Sequence, residues 1–173
     1  MTNRSSKQAV AQDALVHLIE VWETDAASQS MVLKQHCRMR GTAVDIDNSQ
    51  RRVRQGEGVA GIAWNQRSAV ILQESPSELL ERIGAQNGLK LSALVAYPVM
   101  RGQEVLAVIV LGIGAGPGAI EVWGRDDRDE LSVVSSYYSG LKSFELISRY
   151  VRFPKGAGDR RRGRADAIAR RVG

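Results

Sequence analysis

Apolar positions near the start of the chain recur every three or four residues, which is the spacing of one face of a helix. This pattern predicts a helix over residues 9–23, whose apolar face is formed by Ala11, Ala14, Leu15, Leu18 and Trp22. Two runs rich in strand-forming residues follow at residues 30–38 and 41–46, and they predict a hairpin. The polar and basic residues 48–55 are expected to form a loop.

Glycines and a capping sequence divide the middle of the chain into short elements. Residues 56–61 have the pattern Gly-x-Gly-x-x-Gly and lead into a helix that is expected to continue to Trp64. A short strand is predicted at residues 69–73. Ser75 and Glu78 have the spacing of a capping box, in which each side chain accepts a hydrogen bond from the backbone of the other residue. This spacing predicts the start of a second helix.

The strongest strand signals lie in the second half of the chain. Residues 91–100 and 104–112 are apolar almost throughout and are separated by a short turn, so they predict a central hairpin. Pro98 has no N–H to donate and must therefore lie at a sheet edge or a bulge. Residues 126–150 have apolar positions spaced as in a long helix. Two hairpins with helices between them predict an α+β fold with an antiparallel sheet.

Positive charge is concentrated at the end of the chain. From residue 149 onwards there are nine lysines and arginines against two aspartates, a net charge of +7, whereas residues 1–148 carry a net charge of −2. The folded domain is therefore not expected to present a basic surface to nucleic acid. Nucleic-acid binding through the arginine-rich tail is the less favoured alternative to a solvated tail. We predict a polar arm at residues 1–6, a domain at 7–150 and the tail at 151–173.

Length and composition exclude several classes of protein. The longest apolar run, residues 105–111, is far shorter than the ~18 residues that a membrane span needs, so no membrane partner is expected. A single cysteine excludes an intrachain disulfide and a cysteine-based zinc cluster. Residues 1–8 lack the apolar core of a secretory signal, and a cytoplasmic location is expected.

The two glycine clusters do not match nucleotide-binding loops. The polar residues 50–55 precede the first cluster where a dinucleotide-binding fold has a buried strand. The second cluster, residues 112–118, lacks the Lys-Ser/Thr ending of a phosphate-binding loop and contains Pro117. Both clusters are therefore interpreted as turns and connections.

The histidines and the cysteine do not form a reactive set in the sequence. His36 and Cys37 are neighbours in a predicted strand, so their side chains point to opposite faces and cannot act together. His17, the other histidine, falls on the predicted first helix. No catalytic residue and no metal-ligand set is therefore assigned.

Residues 10–148 resemble a GAF domain. The resemblance is carried by four segments, residues 56–63, 69–72, 92–99 and 102–111. They correspond to a glycine-rich turn before a helix, a short strand, a strand ending in Pro-Val, and a turn into a further apolar strand. Ala107 stands where the family usually has a second glycine. The order and spacing of the segments are more specific than any one of them.

The resemblance implies a central sheet with helices on both sides and a ligand cavity on one side of the sheet. It also implies a non-enzymatic sensory or regulatory module that binds a small molecule and acts in signal transduction. Trp64, Asn87 and Tyr97 are the candidate ligand-binding residues on this basis. The residues with which family members bind cyclic nucleotides are absent. A cysteine that attaches a bilin follows the glycine-rich turn in the family, whereas Cys37 precedes this turn. No cofactor is therefore identified.

Free methionine sulfoxide reductase, an enzymatic branch of the family, uses several cysteines. A chain with one cysteine is therefore not expected to be an enzyme of this type, although the reductase remains the alternative function.

A homodimer is predicted from the apolar pattern of residues 126–150. Val133, Tyr137, Phe144 and Ile147 recur at intervals of three, four or seven residues, which is the spacing of a two-helix seam. The competing interpretation is that the first helix of the same chain covers this stripe.

Overall fold

The structure is a computed structural model that describes residues 15–38, 51–83 and 91–154. Within these segments the chain forms strands β1 Val16–Asp25, β2 Ser30–Arg38, β3 Arg52–Val53, β4 Val70–Leu72, β5 Ala93–Arg101, β6 Glu104–Ile113, β7 Gly118–Arg125 and β8 Leu131–Ser139, and helices α1 Gly58–Gln66, α2 Pro76–Arg82 and α3 Lys142–Tyr150. The chain divides into two units, Met1–Ile120 with Tyr137–Leu141 and Glu121–Ser136 with Lys142–Gly173.

The first unit is built on a six-stranded sheet with the strand order β3-β2-β1-β6-β5-β4. Every pair of neighbouring strands in it is antiparallel, which confirms the predicted α+β fold. The β5–β6 hairpin forms as predicted. Pro98 pairs with Val108 of β6, but it lies beyond the three residues of β5 that pair with β4 and one residue before a register shift, so it stands at an edge and near a bulge as a residue without an N–H requires.

The main apolar core lies between one face of the sheet and helices α1 and α2. It contains Leu18 and Trp22 of β1 together with Ala63 of α1 and Leu79 of α2. The opposite face carries a smaller cluster in which Ala93, Val95 and Ile113 pack with Tyr137 of β8. The helices expected on this second face are not among the described elements of the first unit.

The two helices of the first unit begin as their sequences predict. Ser75 and Glu78 form the capping box of α2, because the Ser75 N–H donates to Glu78 Oε2 at 2.9 Å and Ser75 Oγ accepts from the Glu78 N–H. Gly58 opens α1 with φ of +57°, and a Cβ there would lie 2.6 Å from the carbonyl oxygen of Arg82. The start of α1 therefore abuts the end of α2 only because residue 58 is glycine.

Three of the sequence-based elements are wrong. The predicted helix over residues 9–23 is strand β1 in its described part, and the predicted loop at residues 48–55 contains β3. The predicted helix over residues 126–150 is a turn, strand β8 and the nine-residue helix α3. The predicted strand at residues 41–46 and most of the tail lie outside the described residues.

The described part of the second unit comprises the outer end of the β7–β8 hairpin and the segment that contains α3. Asp126 Oδ1 accepts hydrogen bonds from the N–H groups of Arg128 and Glu130, which fixes the turn. Phe153 exchanges two backbone hydrogen bonds of 3.0 Å with Leu131, and its ring lies 5.0 Å from that of Trp123. Among the described residues, no helix is long and apolar enough to cross a membrane.

Candidate functional site

Strand β1 carries a carboxylate into the interior of the first unit. Leu18, Glu20 and Trp22 alternate along β1 and therefore share the face that α1 and α2 cover. Glu20 is only 1% exposed. A carboxylate buried to this degree is costly unless it is paired and hydrogen-bonded, so its partners define the site.

Three side chains converge on the Glu20 carboxylate. The Trp22 indole donates to Oε2 at 3.0 Å, and Arg51 Nη1 donates to Oε1 at 2.9 Å. His36 Nδ1 lies 3.0 Å from the same Oε1. The antiparallel register of β1 and β2 places His36 directly opposite Glu20. Because an ionised carboxylate can only accept, this arrangement assigns the donated proton to Nδ1.

Arg51 connects the buried carboxylate to the end of α2. Its Nη2 donates to the carbonyl oxygen of Ile83, which caps the C-terminus of α2. Its guanidinium carbon also lies 5.2 Å from the centre of the Trp22 ring, a distance typical of a cation–π contact. Arg51 therefore holds together the sheet, the segment before β3 and the second helix.

A cavity of about 380 Å³ opens beside this cluster. Its lining is formed by Glu20, Trp22, Arg51, Arg52, Val53, Gly58, Val59, Ala60, Glu81, Arg82 and Ile83. The sheet and Arg51 supply polar groups, the first turn of α1 supplies small and apolar ones, and the last turn of α2 forms the remaining wall. This volume lies in the range of sites for small molecules, which combine apolar walls with a few placed polar groups.

Two arginines at the rim of the cavity are already paired with carboxylates. Arg82 binds both oxygens of Glu74, at 3.2 and 3.1 Å, and this hydrogen bonding raises the pKa of the Arg82 guanidinium. Arg52 donates to Asp25 at 2.8 Å and lowers the pKa of that carboxyl to about 2, with help from Ser28. The rim therefore has little excess positive charge from these two residues.

His36 has a buried ring nitrogen without a hydrogen-bond partner among the described residues, although His36 is not one of the residues that line the cavity. His36 Nε2 is buried and makes no hydrogen bond, and the His36 side chain is 4% exposed. Leaving a buried nitrogen unpaired costs roughly 1–3 kcal/mol. Because His36 does not line the cavity, the site is defined by its bond to Glu20 through Nδ1 and not by this second nitrogen.

The candidate ligand-binding residues from the sequence are not brought together. Trp64 lies on α1, is half-buried against the main core and borders a separate depression with Thr24 and Arg54. Tyr97 is 59% exposed and lies on the sheet face opposite the cavity. Asn87 lies outside the described residues. Ligand binding by these three residues stays a prediction.

The second histidine and the cysteine lie away from the cavity. His17 is in β1, not in a helix as predicted, and its ring packs on Gly114. Cys37 is exposed while His36 is buried, which confirms that the two neighbours point to opposite faces. Within the described segments, no three His, Cys, Asp or Glu side chains lie close enough to hold a metal ion.

Glu20 and Arg51, the two charged residues at the centre of the site, are not among the site residues predicted from the sequence. A charged residue between Leu18 and Trp22 at two-residue spacing was the available signal for Glu20, but it is visible only if β1 is treated as a strand. Arg51 had no signal of its own, because it stands in a run of polar and basic residues.

Several solved structures are similar to this chain. A free methionine-R-sulfoxide reductase from Neisseria meningitidis shares 16% identity, with a TM-score of 0.43 and coverage of 62% of this chain and 59% of that chain. A GAF domain from an Acinetobacter phosphoenolpyruvate-protein phosphotransferase shares 19% identity, with a TM-score of 0.43 and coverage of 56% and 55%. A mutated NreA protein from Staphylococcus aureus shares 12% identity, with a TM-score of 0.44 and coverage of 65% and 85%.

The chain spans less than two thirds of the first two of these neighbours. No curated protein matches the chain. The model of the GAF domain family matches residues 5–139, which is well over half of the chain and confirms the resemblance found in the sequence. The chain belongs to the GAF domain family.

Proposed function

We propose that this chain is a non-enzymatic regulatory module that binds a small molecule in the cavity beside Glu20 and Arg51. The observation that carries the proposal is the buried polar cluster at the wall of a 380 Å³ cavity. A sheet that needed only a packed core would not require a carboxylate at this position, because apolar residues of similar volume are often equally stable or more so. A cluster of this kind orients a ligand by hydrogen bonds that an apolar wall does not provide.

The geometry favours binding over reductase chemistry. Cys37 is the one cysteine in the sequence, and its side chain lies on the opposite face of β2 from His36 and the cavity cluster. A thiol cycle that ends in an intrachain disulfide needs a second cysteine. Reduction of free methionine sulfoxide with thioredoxin as the reductant is therefore the alternative to be tested, and turnover above background would overturn the non-enzymatic proposal.

Action through a homodimer and a cytoplasmic location both stay predictions. The prediction that the dimer seam is one continuous helix is wrong, because Val133 and Tyr137 lie on strand β8. Tyr137 is also only 7% exposed and packs in the core of the first unit. Phe144 and Ile147 lie on α3 and are 47% and 61% exposed. Of the four residues predicted for the dimer seam, only Phe144 and Ile147 therefore lie together on a helix.

The binding proposal is tested by native mass spectrometry of protein purified from its own source. We expect the wild type to carry a small molecule, Arg51→Met to lose it, and Arg101→Met to retain it. Arg101 is the matched control because its guanidinium pairs with Glu104 on an exposed turn. Circular dichroism must show that Arg51→Met is folded.

A thermal-shift screen of nucleotides, haem and free amino acids provides a second readout. If the wild type carries nothing and no compound raises its melting temperature, the binding proposal is wrong.

A further inference from the structure

The arginines of the cavity beside Glu20 have charges that are already matched by carboxylates. Three arginines line this cavity in the part of the chain that the structure describes, and each of them has a carboxylate partner. The pairs and their nitrogen–oxygen distances are Arg51–Glu20 at 2.9 Å, Arg52–Asp25 at 2.8 Å and Arg82–Glu74 at 3.1 Å. Asp25 and Glu74 are not lining residues themselves, so they neutralise Arg52 and Arg82 from outside the cavity.

The other charges at the cavity do not favour an anion either. Glu81 is an exposed carboxylate of the lining, so three guanidinium groups stand against four carboxylates when the partners are included. The first turn of α1 and the last turn of α2 both line the cavity, so the partial positive charge of one helix end is offset by the partial negative charge of the other. Among the described lining residues, an anion would therefore meet Glu20 and find no unpaired cation.

Arg51 keeps hydrogen-bond donors for a molecule that carries no charge. A guanidinium has five N–H groups, and Arg51 uses two of them to bond to Glu20 and to the carbonyl oxygen of Ile83. The other three have no acceptor among the described residues. Trp22 and Val59 add apolar surface to the lining. The cavity is therefore suited to a carbonyl oxygen on an apolar frame, whereas an ammonium group would be repelled by the Arg51 guanidinium.

We propose that the cavity selects an uncharged molecule with a hydrogen-bond acceptor, such as an amide carbonyl. Asp25 and Glu74 are the specificity-determining residues, because they pair with Arg52 and Arg82 and so exclude anions. This inference rests on the proposed binding function and adds the class of ligand to it. An anion has to lie beside Glu20 or take an arginine from its carboxylate, and specificity depends on what a site makes unfavourable for the wrong ligand.

Matched triples of small molecules test the class of ligand. The members of a triple carry a carboxylate, a primary amide or an aminomethyl group on the same frame, and isothermal titration with the full chain at neutral pH gives their affinities. A triple is assigned to the cavity only if Arg51→Met, verified as folded by circular dichroism, abolishes the binding of its best member. We expect the amide to bind at least about fivefold more tightly than the acid and the amine.

Two variants release one arginine each and change the charge balance of the cavity. Glu74→Gln removes the carboxylate that pairs with Arg82, and Asp25→Asn removes the one that pairs with Arg52; both preserve side-chain volume. Both pairs are partly exposed, so the effect is modest, and the affinity for the acid relative to the amide should rise at least about threefold in each variant.

Glu104→Gln is the matched control for both variants. It changes the net charge of the chain equally but acts on the exposed pair with Arg101, whose residues do not line the cavity. The ratio of acid to amide affinity should therefore change by less than about 1.5-fold. Melting curves verify that each variant is folded, and Asp25→Asn provides the test if Glu74→Gln does not fold.

Several results would overturn the proposed class of ligand while leaving the binding function intact. One is a triple whose acid or amine binds in the cavity as tightly as its amide. Another is an unchanged ratio of acid to amide affinity in folded Glu74→Gln and Asp25→Asn, which would show that these carboxylates do not set the specificity. A third is an anion identified by accurate mass in the wild type purified from its own source. If no triple binds through Arg51 and the wild type carries no small molecule, the proposed function itself is wrong and this inference is wrong with it.

Discussion

Glu20→Gln is the perturbation that tests the buried cluster most directly. The carboxylate is 1% exposed and accepts from Trp22, Arg51 and His36. Glutamine preserves the volume but replaces one acceptor oxygen by an NH₂ group, which then faces at least one of these donors. The variant therefore loses the charge of the pair and leaves a buried donor without an acceptor.

The expected cost follows from the burial of the two partners. Removing one member of a buried ion pair costs about 3–5 kcal/mol. The Arg51 side chain is 25% exposed, so water can partly solvate the guanidinium that remains, and the lower end of this range applies. We expect a loss of about 3 kcal/mol in the free energy of unfolding, equivalent to roughly 6–12 °C in Tm for a chain of this size.

Urea unfolding followed by circular dichroism and tryptophan fluorescence measures this loss. Glu104→Gln is the matched control, because Glu104 pairs with Arg101 at 2.7 Å on an exposed turn and the loss should be below about 1 kcal/mol. The double variant Glu20→Gln with Arg51→Met should be about 2 kcal/mol more stable than the sum of the single losses predicts, because the two residues act on each other. If Glu20→Gln lowers the free energy of unfolding by less than about 1 kcal/mol, the conclusion that Glu20 and Arg51 form a stabilising buried ion pair is wrong.

Three further predictions concern other contacts of the first unit. The pKa of Asp25 should be about 2 by NMR titration, below its usual 3.8, so its contribution to stability is present above pH 4 and is lost as the pH falls towards 2; Arg52→Gln should move the pKa back towards 3.8. Gly61→Ala should cost at least about 2 kcal/mol in urea unfolding, because its Cβ would collide with the carbonyl oxygen of Arg54; an unchanged midpoint would contradict the close approach. Ser75→Ala should cost about 1 kcal/mol and speed hydrogen exchange in α2, because the capping box is lost.

Local signals in the sequence predicted the elements whose pattern is decided by near neighbours. The capping box of α2 depends on Ser75 and Glu78 alone, and the turn of the β5–β6 hairpin on Gly102, whose φ is +62°. These signals were sufficient for an antiparallel α+β fold and for the family resemblance. They do not depend on how the sheet is packed, and all of them are confirmed.

The tertiary structure decided the elements that the spacing of apolar residues left ambiguous. In β1, Leu18 and Trp22 are four residues apart, which fits a helix face and equally a strand face. A strand in the middle of a six-stranded sheet has apolar residues on both faces, so its sequence lacks the apolar–polar alternation that would have indicated a strand. In β8, the spacing of Val133 and Tyr137 was interpreted as helical although serine, valine and tyrosine dominate the segment.

The candidate site is the clearest case of what only the tertiary structure could decide. Glu20 and Arg51 are 31 residues apart, and Glu20 and His36 are 16 apart. The first pair meets because α2 closes over the sheet and its last carbonyl binds Arg51, and the second because of one particular register between β1 and β2. A slip of that register by a single residue would turn His36 to the opposite face. The sequence determined which side chains were available, and the pairing of the strands determined which of them share a buried site.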